Sequence, residues 1–182
     1  MQQWGSKALE EWIQVLSDLL QAIQFTTVKK ECSNLVILLS EISQPLESKM
    51  CAAQIFGYLC NSMAPSEYDL LFANSIRQLC HDYNWQVRKA MCDSLSKIIL
   101  AYKETDFSKE LFLDEVIDLV ADYEEEVRCS SINSFLLCFG VYATICQKAI
   151  FDVIKVIILK MTPKIAIGFT EKVGYLLLGV II

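Results

Sequence analysis

Histidine is almost missing from this chain: His81 is the single copy among 182 residues. A zinc site of mixed ligands therefore has no second imidazole, and Cys80 and Cys92 stand too far apart for a C-x-x-C knuckle. Histidine-dependent catalysis would have to run through His81, whose helical position beside Cys80 and Asp82 reads as a partly exposed surface residue. Basic runs are missing as well. The 16 Lys and Arg are scattered, with nothing longer than Lys29-Lys30 and Arg88-Lys89, and the net charge is −6. Phosphate neutralisation normally supplies most of the affinity for nucleic acid, so that class of partner is excluded. Long apolar runs are lacking too. Glu171 and Lys172 interrupt the stretch Ile165 to Ile182, leaving Val173 to Ile182 against the ~20 residues a membrane span needs. The N-terminal Met-Gln-Gln-Trp-Gly-Ser-Lys has no basic n-region and no apolar h-region after it, so no secretory signal is expected. The loops G-x-x-x-x-G-K-[ST], G-x-G-x-x-G and G-x-S-x-G do not occur. No catalytic residue, metal or cofactor is expected.

What the chain does contain is apolar helix. Its apolar share is 54%, above the usual ~45–50%, and apolar residues rarely alternate strictly with polar ones, which leaves strands little support. The eight cysteines sit inside these helical patterns, as Cys60, Cys80, Cys92 and Cys138 do. Buried free Cys behaves as a small hydrophobe, so the reading is a reducing compartment, cytoplasmic or nuclear. Cys129, Cys138 and Cys146 share one predicted helix at packing spacings, not metal-ligand spacings.

The three prolines, Pro45, Pro65 and Pro163, punctuate the pattern. Helices are predicted over Trp4 to Ile23, Val28 to Ile42 and Leu46 to Ser62, then from Ser66 to near Asp82. Ser66, with Asp69 three residues on, resembles a capping box. Asn84 is a predicted N-cap for a helix from Trp85 to near Lys103. Further helices follow over Lys109 to Ala121, Glu125 to Ile145 and Ala149 to Met161, with a less regular one, interrupted by glycines, after Thr162-Pro163.

Two stretches repeat each other. Leu79, Asp82, Tyr83, Val87, Arg88, Ser94 and Tyr102 recur forty residues on as Leu119, Asp122, Tyr123, Val127, Arg128, Ser134 and Tyr142, with Phe72 and Phe112 matched upstream. In an earlier, more divergent unit, Lys49, Cys51, Ala53, Phe56 and Leu59 fall 39 residues before Arg88, Ala90, Cys92, Leu95 and Ile98. A period near 40 is the mark of an all-α superhelix, a solenoid of about four to five helix pairs. The units are 28–63, 66–103, 109–146 and 149–182, with 4–23 an unpaired or capping helix. Such folds offer a long surface for other proteins instead of a pocket.

The repeated residues read mainly as structure. Asp82 and Asp122 each precede an Arg, Arg88 or Arg128, by six residues. Each Asp can accept N–H groups at the start of the second helix of its unit, and each Arg can reach the Asp of its own or an adjacent unit, making a charge ladder. The small residues Cys51, Ala90 and Ser130 allow helix axes to approach. The acids Asp122, Glu124, Glu125 and Glu126 gather at a helix N-terminus, where the dipole favours them and where they could also steer a basic partner. Trp85, expected to be exposed beside its turn, is either a binding anchor or a ring packed across the neighbouring unit.

The segment Leu79-Cys-His-Asp-Tyr-Asn-Trp-Gln-Val-Arg-Lys-Ala-Met-Cys resembles the HEAT repeats of the protein phosphatase 2A scaffolding subunit. From Glu47 through Lys164 the arrangement is similar to the family of protein phosphatase 4 regulatory subunit 4. That resemblance implies a non-catalytic, elongated HEAT-type scaffold that binds a serine/threonine phosphatase catalytic subunit, in a chain that is a fragment or short isoform. It also implies partner contacts through the turns on one edge, here Tyr83, Asn84 and Trp85, and Tyr123, Glu124 and Glu125. The unit after Ile145 departs from the pattern. Thr162-Pro163 and Ile167-Gly168 stand where an Asp and a Val-Arg pair are due, and the final Leu-Leu-Leu-Gly-Val-Ile-Ile lacks the polar face of a cap. The alternative is an importin- or armadillo-like transport adaptor, but such adaptors line their groove with Trp and Asn ladders, and only Trp85 lies in the repeats here.

Overall fold

A computed structural model describes residues 26–103 and 112–143, together with residues 11, 15, 18, 155 and 159. Its elements are α1 (Thr26–Ser40), α2 (Leu46–Leu59) with a 3-10 turn (Cys60–Ser62), α3 (Pro65–Cys80), α4 (Trp85–Ala101), α5 (Leu113–Val120) and α6 (Glu125–Ala143). These elements are all helical, with no strand among the described residues. Apart from residues 11, 15, 18, 155 and 159, which are helical, the predicted helices 4–23 and 149–161, and the tail after Pro163, lie outside the described residues.

Helix boundaries follow local chemistry. Pro45 sits extended before α2 (φ −57°, ψ 157°), as its ring requires of a residue entering a helix. Asn84 Oδ1 accepts the N–H of Gln86 at 2.9 Å, capping α4 as its residue type predicts. Two boundaries differ from expectation. Ser66 does not cap α3: the helix begins one residue earlier on Pro65, after an extended Ala64 with no side-chain cap. Proline at the first helical position lacks only an N–H that would go unpaired there anyway, so the helix starts without a cap. The helix expected from Lys109 instead begins at Leu113, because Phe112 is left-handed at φ 55°. For a bulky L-residue that conformation costs about 1–2 kcal/mol. Burial of the Phe112 ring, beneath the Arg77 guanidinium at 5.7 Å, offsets it.

The helices form two layers. α2, α4 and α6 lie side by side in one, α1, α3 and α5 in the other, and each even-numbered helix also packs on the odd-numbered helix before it. Between the layers runs one apolar seam, including Val36, Phe56, Phe72, Leu79, Met91, Leu95, Val116, Val127 and Phe135. Aromatic rings cluster around Phe72 and Tyr68 of α3: Phe56 of α2 and Phe72 lie 5.2 Å apart, Tyr68 and Phe72 5.1 Å, and Tyr68 and Tyr102 at the end of α4 5.6 Å. The buried Tyr68 hydroxyl donates to the Phe56 carbonyl at 2.7 Å, so no polar atom is stranded there. α2 and α4 approach closely at Gly57, where a Cβ would lie 3.1 Å from Ser94 Cα. Ser94 is held in place by its hydroxyl, which donates to the Ala53 carbonyl at 2.6 Å.

Cys60, Cys80 and Cys92 are buried free thiols, and burial pushes Cys60 up to about 11 and the other two up as well. Thiols so held are packing groups and poor nucleophiles. No helix among the described residues is long and apolar enough to cross a membrane.

A candidate protein-binding edge

The turns α3–α4 and α5–α6 are built alike and lie on the same edge of the array. In each, an Asp ends the first helix's turn and folds back on the chain. Asp82 Oδ1 accepts the Asn84 N–H at 2.8 Å, and Asp122 Oδ1 accepts the Glu124 N–H at 2.8 Å. Such Asx turns close a tight connection with the aspartate's own side chain. Each Arg, one turn into the following helix, then clamps its own connection. Arg88 Nη1 donates to the carbonyls of Asp82 (2.7 Å) and Tyr83 (3.2 Å), and Arg128 Nη1 to those of Asp122 (2.7 Å) and Tyr123 (2.8 Å).

Between turns the charges interlock. Arg88 Nε and Nη2 grip Asp122 Oδ2 and Oδ1 at 2.7 and 2.9 Å, a bidentate fork. The side chains are 5% and 6% exposed, and the Asp122 hydrogen bond pushes the Arg88 pKa further up. Lys49, wholly buried, donates from Nζ to Asp82 Oδ2 at 2.7 Å. Lys49 therefore occupies the place in its unit that Arg88 holds in the next, as the 39-residue alignment places it, although the aspartate it meets could not be read from its own turn. The order along the edge is Lys49, Asp82, Arg88, Asp122, Arg128.

Tyr83 and Tyr123 cover these pairs from outside. The Lys49 ammonium lies 4.5 Å from the Tyr83 ring centre and the Arg88 guanidinium 4.6 Å from that of Tyr123, within cation–π range. Both tyrosines remain 77% and 72% exposed, so each presents a broad aromatic face to the outside. For Trp85 the sequence admits two readings, an anchor or a packed ring. Its ring is half-buried against the core, which places it closer to packing than to anchoring. Asn84 is occupied as a cap, and Glu124 and Glu125 are half-buried at the start of α6.

A second set of pairs ties α3 to α5, and sequence reasoning missed it because its members do not recur in the repeat. Arg77 Nε donates to Glu115 Oε1 at 3.0 Å. His81 is exposed, as expected, with Nδ1 2.8 Å from the Arg77 carbonyl and Nε2 3.2 Å from Asp118 Oδ2. Acceptors on both ring nitrogens favour the doubly protonated ring, so its pKa is raised, chiefly by the Arg77 carbonyl and then by Asp118. An open recess of about 380 Å³ lies between the two tyrosine turns, with His81, Asp118 and the Arg88–Asp122 pair in its wall. Nothing in that wall is arranged as a nucleophile with a base, and no cluster suited to a metal occurs among the described residues.

No family model and no solved structure matches the chain. Over 133 residues, 73% of its length, it is 23% identical to a human protein, serine/threonine-protein phosphatase 4 regulatory subunit 4, and 22% identical to the mouse protein of that name. The match spans 15% of the length of each relative. The identity marks a distant relationship to a phosphatase regulatory subunit.

Proposed function

We propose that the chain is a HEAT-type solenoid scaffold, non-catalytic, that binds the catalytic subunit of a serine/threonine phosphatase of the protein phosphatase 4 type. The observation that carries this reading is the repeated turn. Two identical Asx-turn and Arg-clamp connections, locked to each other by a buried fork, hold Tyr83 and Tyr123 exposed on one edge. A rigid pair of aromatic faces at fixed separation loses little entropy on binding, which is what a protein-recognition edge requires. The distant relationship to phosphatase regulatory subunits supports the choice of partner. In this reading the units are 28–63, 66–103, 109–146 and 149–182, and the setting is cytoplasmic. Asn84, Trp85, Glu124 and Glu125 position the two turns, while the tyrosines make the contact.

The test is direct binding of purified protein phosphatase 4 catalytic subunit to the immobilised chain. Saturable binding, with no phosphatase activity in the chain alone, is the expected result. Absence of binding, with retention of basic transport cargo in its place, overturns it.

A further inference from the structure

The open recess between the two tyrosine turns carries three aspartates and one arginine in its wall. Two of the aspartates are spent. Asp82 is paired with the buried Lys49 and Asp122 with Arg88, and that second pair also cancels the one guanidinium in the wall. Asp118, on α5, is different. Its carboxylate is 66% exposed, and the side chain bonded to it is His81 at 3.2 Å, a ring that is uncharged when neutral. The other charges around His81 are Arg77 on its own helix and Glu115 on α5, which are paired with each other at 3.0 Å, and the Cys80 thiol beside it is buried and neutral. With His81 neutral, the recess therefore holds one uncancelled negative charge between two exposed aromatic side chains.

We infer that this recess seats one arginine side chain of a protein partner, its guanidinium on Asp118 and against the rings of Tyr83 and Tyr123. A guanidinium is flat and weakly hydrated, and it stacks on aromatic rings while donating to a carboxylate, which a compact ammonium does less well. At about 380 Å³, near the small end of the ~300–1,000 Å³ typical of ligand pockets, the recess suits one long side chain and not a folded segment. Glu124 and Glu125, at the adjoining start of α6, add a negative field that favours the arrival of a cation. Protonated His81 competes for Asp118. The seat therefore opens as pH rises through the His81 pKa, which the Arg77 carbonyl and then Asp118 hold above its ordinary value. The inference rests on the binding edge proposed above, not on the identity of the phosphatase.

The test is a nuclear magnetic resonance titration of the full chain with N-acetyl-Gly-Arg-Gly-amide, read at the ring signals of Tyr83 and Tyr123. Both move saturably in the millimolar range, while the signal of the buried Tyr68 stays put. The same peptide with citrulline in place of arginine, close in shape but uncharged, leaves them still. Asp118→Asn, an exposed change that spares the helices, weakens arginine binding about fivefold, the size of one exposed ion pair. Lowering the pH from about 8 to about 6 also weakens it, and His81→Gln removes that pH dependence. Silent tyrosine signals, equal binding of the citrulline peptide, or arginine binding unchanged in Asp118→Asn overturns the inference. So does equal binding of a lysine peptide, which assigns the attraction to the general negative charge of the chain. Phosphatase binding alongside silent tyrosines overturns the recess alone, whereas shifted tyrosines without phosphatase binding support the recess and overturn only the choice of partner.

Discussion

At the scale of single residues, the most exacting arrangement is a lysine with no exposed surface, made tolerable by one aspartate. Lys49 and Asp82 pair at 2.7 Å in the interior, where desolvation is severe and the partner's removal leaves a bare charge. Lys49→Met is therefore expected to lower the unfolding free energy by about 3–5 kcal/mol in urea denaturation. Lys49→Met with Asp82→Asn is expected to cost less than Lys49→Met alone, since no charge is then stranded. Arg88→Lys removes a bidentate fork as well as the turn clamp and should destabilise by about 1–3 kcal/mol, whereas Arg128→Lys, which gives up the clamp but no fork, should cost less by the same measurement. A ladder of charges involving Asp82, Arg88, Asp122 and Arg128 was legible because the residues recur at one spacing, whereas Lys49 as the partner of Asp82 was not. What spacing could not convey is direction: Lys49 and Arg88 reach forward to the next unit's aspartate, and Arg88 also holds its own turn by the backbone. His81 adds a small pH dependence. Its pKa is raised in the fold, so its contribution is full below about pH 6.5 and fades as pH climbs through the folded value. More than half exposed, it shifts the urea midpoint only slightly between about pH 6 and about pH 8, and His81→Gln should remove that slope.

At the scale of elements, helix type and order were legible from apolar periodicity, and ends were legible where one residue decides them. Asn84 caps α4 because its side chain reaches the Gln86 N–H, and Pro45 stops the chain before α2. Phe112 shows what periodicity misses. It matches Phe72 in the repeat and is buried like it, yet Phe72 lies within α3 while Phe112 turns left-handed ahead of α5. An apolar residue's burial is visible in a pattern; its backbone dihedral is not. The closeness of α2 and α4 was equally hidden, since Gly57 alone says nothing about Ser94. Gly57→Ala gains about 1 kcal/mol of helix propensity but sets a Cβ 3.1 Å from Ser94 Cα, where backbone must move. The net expectation is destabilisation, read as a lower urea midpoint; a higher midpoint would mean that the two helices separate freely at this point.

At the scale of the whole molecule, function rests on what the stacked pairs expose. The interior is consumed by packing, the buried thiols are inert, and the charged ladder is satisfied up to Arg128. What faces outward on the turn edge is Tyr83 and Tyr123. Sequence reading places binding on these turns but leaves Trp85 open between anchor and packed ring, because exposure of a ring beside a turn depends on the neighbouring helix and not on its own position. The partner's identity has no signature in the turns; it enters through the distant relationship to phosphatase regulatory subunits. The most direct test is the affinity of purified protein phosphatase 4 catalytic subunit for the chain and for its Tyr83→Ala, Tyr123→Ala double variant, with circular dichroism recorded on both. The account predicts binding that falls about tenfold or more in the variant with helical content unchanged, as two lost aromatic anchors imply. Equal affinity of the two proteins would contradict it.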